Sequence, residues 1–189
     1  MTYHVEKLVA PHISDEDSAQ LVALVCSVYP ERKPREHTLI DELRQAWRSY
    51  YGPLSLATQR FIVRDGNTIV ANATVLPRWI STTKGRLKIA GLCGVASHPN
   101  VRGLGYGKAV TQAVFERVDA GEFSFALFQT GDARGFYEHL GCCVVANPII
   151  NSLNAESPTT NPFRDRFVMR YPANDNWPQG EIDMLGSGY

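Results

Sequence analysis

The segment that most limits the fold is residues 86–118. An apolar strand pattern, RLKIAGLCGVAS (86–97), runs into a glycine-rich turn, HPNVRGLGYGK (98–108), and then into a helix from about 107 to 119 with Val110, Ala113, Val114 and Val118 on one face. Within the turn, Arg102, Gly105 and Gly107 have R-x-x-G-x-G spacing. Small residues let backbone N–H groups come close to a ligand. The following helix points its positive dipole end at the same place, and Arg102 and Lys108 add charge. This is the physics of a pyrophosphate cradle. A Walker A loop would need Ser or Thr after its lysine, and Ala109 follows Lys108. A Rossmann G-x-G-x-x-G would need glycine where Lys108 stands.

The flanking patterns set the element order. Residues 3–10 read as a strand. Ser14 and Asp17 have capping-box spacing, opening a helix with Leu21, Leu24, Val25 and Val28 on one face, which Pro30 stops. A second helix is predicted over 36–51, with Leu39, Leu43, Trp47 and Tyr50 on one face and Gly52-Pro53 as its stop. FIVR (61–64), the turn Asp65-Gly66-Asn67 and TIVANATVLP (68–77) make a hairpin. Lys84-Gly85 turns the chain into the strand ahead of the glycine-rich turn. Beyond the helix come a short strand (123–128), a short helix (132–140), a strand (142–146), a long irregular stretch (147–165) that is either functional or mobile, and a last strand (166–171). The tail 172–189 is polar but keeps Trp177, Ile182, Met184 and Leu185, so part of it should dock.

Length and charge narrow the class. A chain of 189 residues with 44% hydrophobic residues suits one compact domain that buries roughly 70% of its surface. Lys plus Arg and Asp plus Glu are both 19, so the net charge is zero, which argues against a nucleic-acid partner. Cys26, Cys93, Cys142 and Cys143 contain no CxxC and no zinc spacing, so no metal site is expected. They read as reduced thiols of a cytoplasmic protein. No secretory signal is expected from the opening MTYHVEKLVAPH. No apolar run is long enough to span a membrane.

An R-x-x-G-x-G turn after an antiparallel meander resembles the coenzyme A loop of the GNAT N-acetyltransferases. GDARGFYEHLGC (131–142) is similar to that family's second cofactor motif, with Ala133, Phe136, Tyr137 and Gly141 in the matching places. The order and motifs cover about 1–146 plus the strand near 167. The resemblance implies an α+β fold (an α/β/α sandwich) with a mixed, mostly antiparallel sheet flanked by helices. It implies a single acetyltransferase domain over 1–189, its core about 1–171 with a docked tail 172–189. Acetyl-CoA, or coenzyme A, is the implied cofactor. It would be held by Gly94, Val95, Ala96 and Ser97 on the strand and by Arg102, Gly103, Leu104, Gly105, Tyr106, Gly107 and Lys108 in the turn. Pyrophosphate would meet the amides of Val101–Lys108. The pantetheine arm would lie where Leu92–Ser97 splays from Phe125–Gln129, and amides near Gly94 and Val95 would take the thioester oxygen.

Tyr137 matches the position whose hydroxyl protonates the leaving thiolate, with Phe136 left to do the packing. The carboxylate common on the central strand is missing from Ala90-Gly91-Leu92-Cys93-Gly94-Val95. The base that deprotonates the amine stays open among Glu42, His139, Asp183 and a terminal carboxylate at Tyr189. Cys93 is read as a structural thiol, since the family transfers directly. Asn176-Trp177-Pro178-Gln179-Gly180 resembles the Trp-Pro-x-Gly endings of NodA-type nodulation-factor acyltransferases, and aminoglycoside 2′-N-acetyltransferases also end in a Trp- and Asp-containing tail. That places Trp177, Asp183 and Tyr189, with Glu42, as acceptor contacts for a cationic amino sugar. The implied function is acetyl transfer to a primary amine of a small molecule, with a homodimer as the family's common state. A longer-chain acyltransferase and a non-catalytic CoA-binding module are the alternatives.

Overall fold

A computed structural model describes residues 3–189. Its strands are β1 (Glu6–Val9), β2 (Gln59–Asp65), β3 (Thr68–Thr82), β4 (Gly85–Ser97), β5 (Phe125–Thr130), β6 (Cys143–Val144), β7 (Ile149–Ile150), β8 (Phe167–Tyr171) and β9 (Ile182–Asp183). Its helices are α1 (Asp15–Val28), α2 (Glu36–Arg48), α3 (Tyr106–Asp119) and α4 (Arg134–Glu138). The strand order is β1-β2-β3-β4-β5-β8-β6, with β9 joined to both β3 and β7. β1–β2, β2–β3, β5–β8, β6–β8 and β3–β9 are antiparallel, and β4–β5 and β7–β9 are parallel. This is the mixed, mostly antiparallel α+β fold that the family resemblance implied.

The chain separates into two compact units. The first holds the chain up to Leu76 together with Gly94–Val114. Its core gathers Leu21, Leu24, Trp47, Ile62, Ile69 and Ala96. α1 starts as expected: the Ser14 side chain accepts the Asp17 N–H at 3.0 Å, and Asp15, Glu16 and Asp17 face the positive helix end. The Asp17 carboxylate does not complete a capping box. It pairs instead with Arg64 at 2.6 Å, beside a second pair from Arg64 to Glu6 at 3.1 Å. α2 is shorter than the expected 36–51. It stops at Arg48 because Ser49 caps it, with backbone N–H and hydroxyl both turned onto the Gln45 carbonyl. Tyr50 then donates its hydroxyl to the Pro53 carbonyl at 2.7 Å.

The second unit holds Pro77–Cys93 and Phe115–Tyr189. Ile80, Ile89, Phe125, Leu127, Trp177 and Met184 form the heart of its core. β3 runs five residues past Pro77, where a strand was expected to end. A proline costs a strand one donor, but the β2 register already stops at Val75, and β9 pairs with β3 farther on, at Ser81. The stretch 147–165 and the tail each contribute two residues, β7 and β9, which pair in parallel. Two-residue strands carry no periodicity, so neither was visible in the sequence. The end of 147–165 is tied to β5. Gln129 Oε1 accepts the N–H groups of Arg164 and Asp165 at 2.7 and 2.8 Å. Among the described residues no helix is long and apolar enough to cross a membrane.

Candidate functional site

The first unit contains the whole glycine turn. His98 Nδ1 accepts the Asn100 N–H, and the Val101 N–H returns to the His98 carbonyl, closing a 3-10 turn over Pro99–Val101. Gly103 and Gly105 then take φ of +81° and +85°, the left-handed region that favours glycine. This reverses the chain into α3 within two residues. The helix's first backbone bond runs from the Ala109 N–H to the Gly105 carbonyl at 3.0 Å. The amides of Tyr106, Gly107 and Lys108 therefore have no helical partner and point out of the helix start. Tyr106 is braced by the edge of Tyr3 at 4.8 Å, and the Tyr3 hydroxyl donates to the Leu104 carbonyl. Arg102, Leu104 and Lys108 are exposed, and among the described residues neither cation has an acidic partner within ion-pair distance. Free amides at a helix start, two uncommitted cations and an open backbone fit a pyrophosphate.

Just ahead of this turn, Gly94 interrupts β4 with φ +56°. Its carbonyl accepts Asn72 Nδ2 from β3 at 2.7 Å. Ala96 is buried; Val95 and Ser97 are half-buried. Glu42 lies elsewhere in this unit. It pairs with Arg35 at 3.2 Å and borders a cavity of about 290 Å³ walled by Leu21, Val25, Leu39 and Leu43. That cavity shares no residue with the glycine turn.

The second unit holds Tyr137 and the tail. Tyr137, on α4, is 7% exposed while Phe136 is 38% exposed. The packing expectation is reversed: Tyr137 lies 4.5 Å from the Phe128 ring and Phe136 faces outward. The reason is helix phase, since one residue turns a side chain by about 100°. His139 is exposed, with Nδ1 2.5 Å from the Gly135 carbonyl.

The tail residues are occupied by their own docking. Trp177 is 5% exposed, not an open platform. Its indole N–H donates to Asn147 Oδ1 at 2.6 Å, its face meets Phe125 at 4.9 Å, and the Arg170 guanidinium lies over it. Asn147 Nδ2 also donates to the Pro178 carbonyl at 3.0 Å and to the Gly180 carbonyl at 2.5 Å. The Trp-Pro-x-Gly run is thus a clip closed on one asparagine. The Asp183 carboxylate accepts the N–H groups of Ser152 and Leu185, both at 3.0 Å, and these bonds hold it below its usual range despite some burial. Tyr189 donates its hydroxyl to the Leu127 carbonyl at 2.7 Å, and its own carbonyl accepts from Gln129 Nε2 at 2.6 Å. Burial pushes the Tyr189 phenol far above its ordinary value.

None of the four cysteines is in a disulfide. Burial pushes Cys142 up to about 12, so it stays protonated at neutral pH. The residue that sequence reasoning missed is Asn72. Its signal was a lone amide inside the apolar run TIVANATV.

A strand, a glycine reversal and a helix start that present free amides beside two cations define an anion-binding acyltransferase-type scaffold. The acetyltransferase (GNAT) domain family matches residues 11–145, and the chain belongs to that family. Three solved structures share the fold. A GNAT-family protein from Desulfovibrio desulfuricans has 15% identity and a TM-score of 0.61 over 89% of this chain and 99% of its own. A GNAT-family acetyltransferase from Brucella melitensis, solved in complex with acetyl-CoA, has 13% identity and a TM-score of 0.55 over 96% of each chain. A GCN5-related N-acetyltransferase from Kribbella flavida has 16% identity and a TM-score of 0.50 over 76% of this chain, which spans 34% of that protein's length. No curated protein matches the chain.

Proposed function

We propose that the protein transfers an acetyl group directly from acetyl-CoA to a primary amine of a small molecule. The observation that carries this is the run of free amides at the start of α3, flanked by Arg102 and Lys108. Acetyl-CoA supplies an activated acyl thioester. The amides of Tyr106, Gly107 and Lys108 would hold the pyrophosphate, with Gly103, Leu104 and Gly105 shaping the turn; of the expected run Val101–Lys108, the N–H groups of Val101, Arg102 and Leu104 are already bonded within the turn. The Val95 N–H, beside Gly94, would act as donor to the thioester oxygen and to the charge that develops on it. Ala96 and Ser97 carry the strand edge into the turn.

Tyr137 is assigned the proton for the departing sulfur, its ring fixed by Phe128 and Phe136. Among the candidate bases Asp183 is the weakest, since its carboxylate is already held ionised by two amides. Trp177 and Asp183 are committed to docking the tail, so an amino-sugar acceptor no longer draws support from them. We treat the two units as parts of one acetyltransferase domain. Four cysteines outside any disulfide suit a reducing cytoplasm.

The test is thiol release from acetyl-CoA with a panel of aminoglycosides, glucosamine, polyamines, amino acids and a basic peptide. Amine-dependent release with one class is the expected result and names the acceptor. Release only with a longer acyl-CoA makes the protein a longer-chain acyltransferase. Tight CoA binding with no release for any donor or amine makes it a binding module.

A further inference from the structure

We propose that Asn72 is a positioning residue that sets the direction of the Val95 N–H. The inference rests on the assignment of that amide to the thioester oxygen.

Asn72 sits in the middle of β3 and is 1% exposed. Its Nδ2 donates to the Gly94 carbonyl at 2.7 Å and to the Thr74 hydroxyl oxygen at 3.2 Å. Gly94 has φ +56°, and a Cβ there would lie 3.2 Å from Thr74 Oγ1. The irregularity in β4 is therefore held by the Asn72 side chain of β3, with Thr74 packed beside it. A trans peptide is planar, so the carbonyl of one residue and the N–H of the next point in opposite directions. Fixing the Gly94 carbonyl onto Asn72 turns the Val95 N–H to the other edge of β4. Among the described residues that edge pairs with β5 only over Ile89–Gly91. Asn72 thus turns the Val95 amide to the edge of β4 away from β3.

The second observation is the far end of the same side chain. Asn72 Oδ1 is buried and has no hydrogen-bond partner among the described residues. Its neighbours Ala71, Ala73 and Val75 are fully buried. An apolar residue would fill this position without stranding a buried oxygen. Packing alone does not explain the amide, whereas its grip on Gly94 does.

The test is Asn72→Leu, which keeps the branched four-atom side-chain shape and is unable to donate. Three quantities are read: kcat for thiol release, and the affinities for acetyl-CoA and for CoA, which lacks the acyl oxygen. The expected result is a loss in kcat of roughly 10- to 100-fold. The affinity for acetyl-CoA relative to CoA should fall by about tenfold, with CoA affinity within about twofold of wild type. Thr74→Val, which leaves the Gly94 bond in place, should keep wild-type kcat. A folded Asn72→Leu with unchanged kcat and unchanged relative affinity overturns the proposal.

If that variant does not fold, Asn72→Asp decides. A protonated carboxyl can still donate to Gly94, and an ionised one cannot. The relative affinity for acetyl-CoA should then drop as the introduced carboxyl ionises, and a pH-independent ratio overturns the proposal. Failure of wild type to bind either form removes the cofactor reading itself and this inference with it. Binding by wild type with Asn72→Leu unaffected removes only the inference.

Discussion

The glycine turn of the first unit and the tail of the second were both singled out in the sequence, and the structure treats them differently. The turn presents backbone. Its left-handed glycines and its helix start were fixed by local chemistry, and they sit where the spacing placed them. The tail's Trp177, Asp183 and Tyr189 carry side chains suited to an amino sugar, yet each is occupied within its own unit. A motif built from conformational requirements can be read from sequence, because glycine spacing encodes the geometry itself. A motif built from side-chain chemistry cannot, because Trp, Asp and Tyr serve a docked strand as well as a ligand.

Substitutions can break or sharpen that contrast. The largest effect should come from Trp177→Ala. Removing a buried tryptophan costs about 3–5 kcal/mol, read as a large fall in Tm. A loss of acceptor affinity at unchanged Tm would instead restore Trp177 as a substrate contact.

Tyr137→Phe should lower kcat by about 100-fold or more while keeping cofactor affinity and Tm. A folded variant with full turnover would leave Tyr137 as a packed aromatic, as its burial alone would suggest.

A smaller effect is expected for Gly105→Ala, since a left-handed alanine costs about 1–2 kcal/mol. The strain lands on the amides that open α3, so CoA affinity should drop by about tenfold, measured by calorimetry. An unchanged affinity would separate the turn from the ligand.

The smallest effect is an alkaline loss of stability that belongs to the second unit. Cys142 and Tyr171 are both pushed up to about 12, mainly by burial, from ordinary values of 9.0 and 10.0. The unfolded chain therefore loses these protons first, and stability declines as pH rises from about 9 toward 12. Tyr171→Phe should flatten part of that slope in chemical denaturation and lose the hydroxyl's 2.9 Å bond to Asp119.

Much of the fold was legible. Ser14 announced α1, Asp65-Gly66-Asn67 announced the first hairpin, and Gly105 announced the entry to α3. What stayed hidden depended on distant partners. The extension of β3 beyond Pro77 needed the end of the β2 register and the arrival of β9. The phase of α4, which buried Tyr137 and exposed Phe136, needed Phe128 across from it. Asn72 was visible only as an amide in an apolar strand, and its partner lies at Gly94, 22 residues away.

The most direct test of the turn as a cofactor cradle compares CoA with pantetheine, which lacks the pyrophosphate, by calorimetric titration. The expected result is tight binding of CoA, weak or no binding of pantetheine, and loss of the difference in a variant lacking both Arg102 and Lys108 side-chain charges. Equal affinity for the two ligands, or no affinity for CoA, would contradict it.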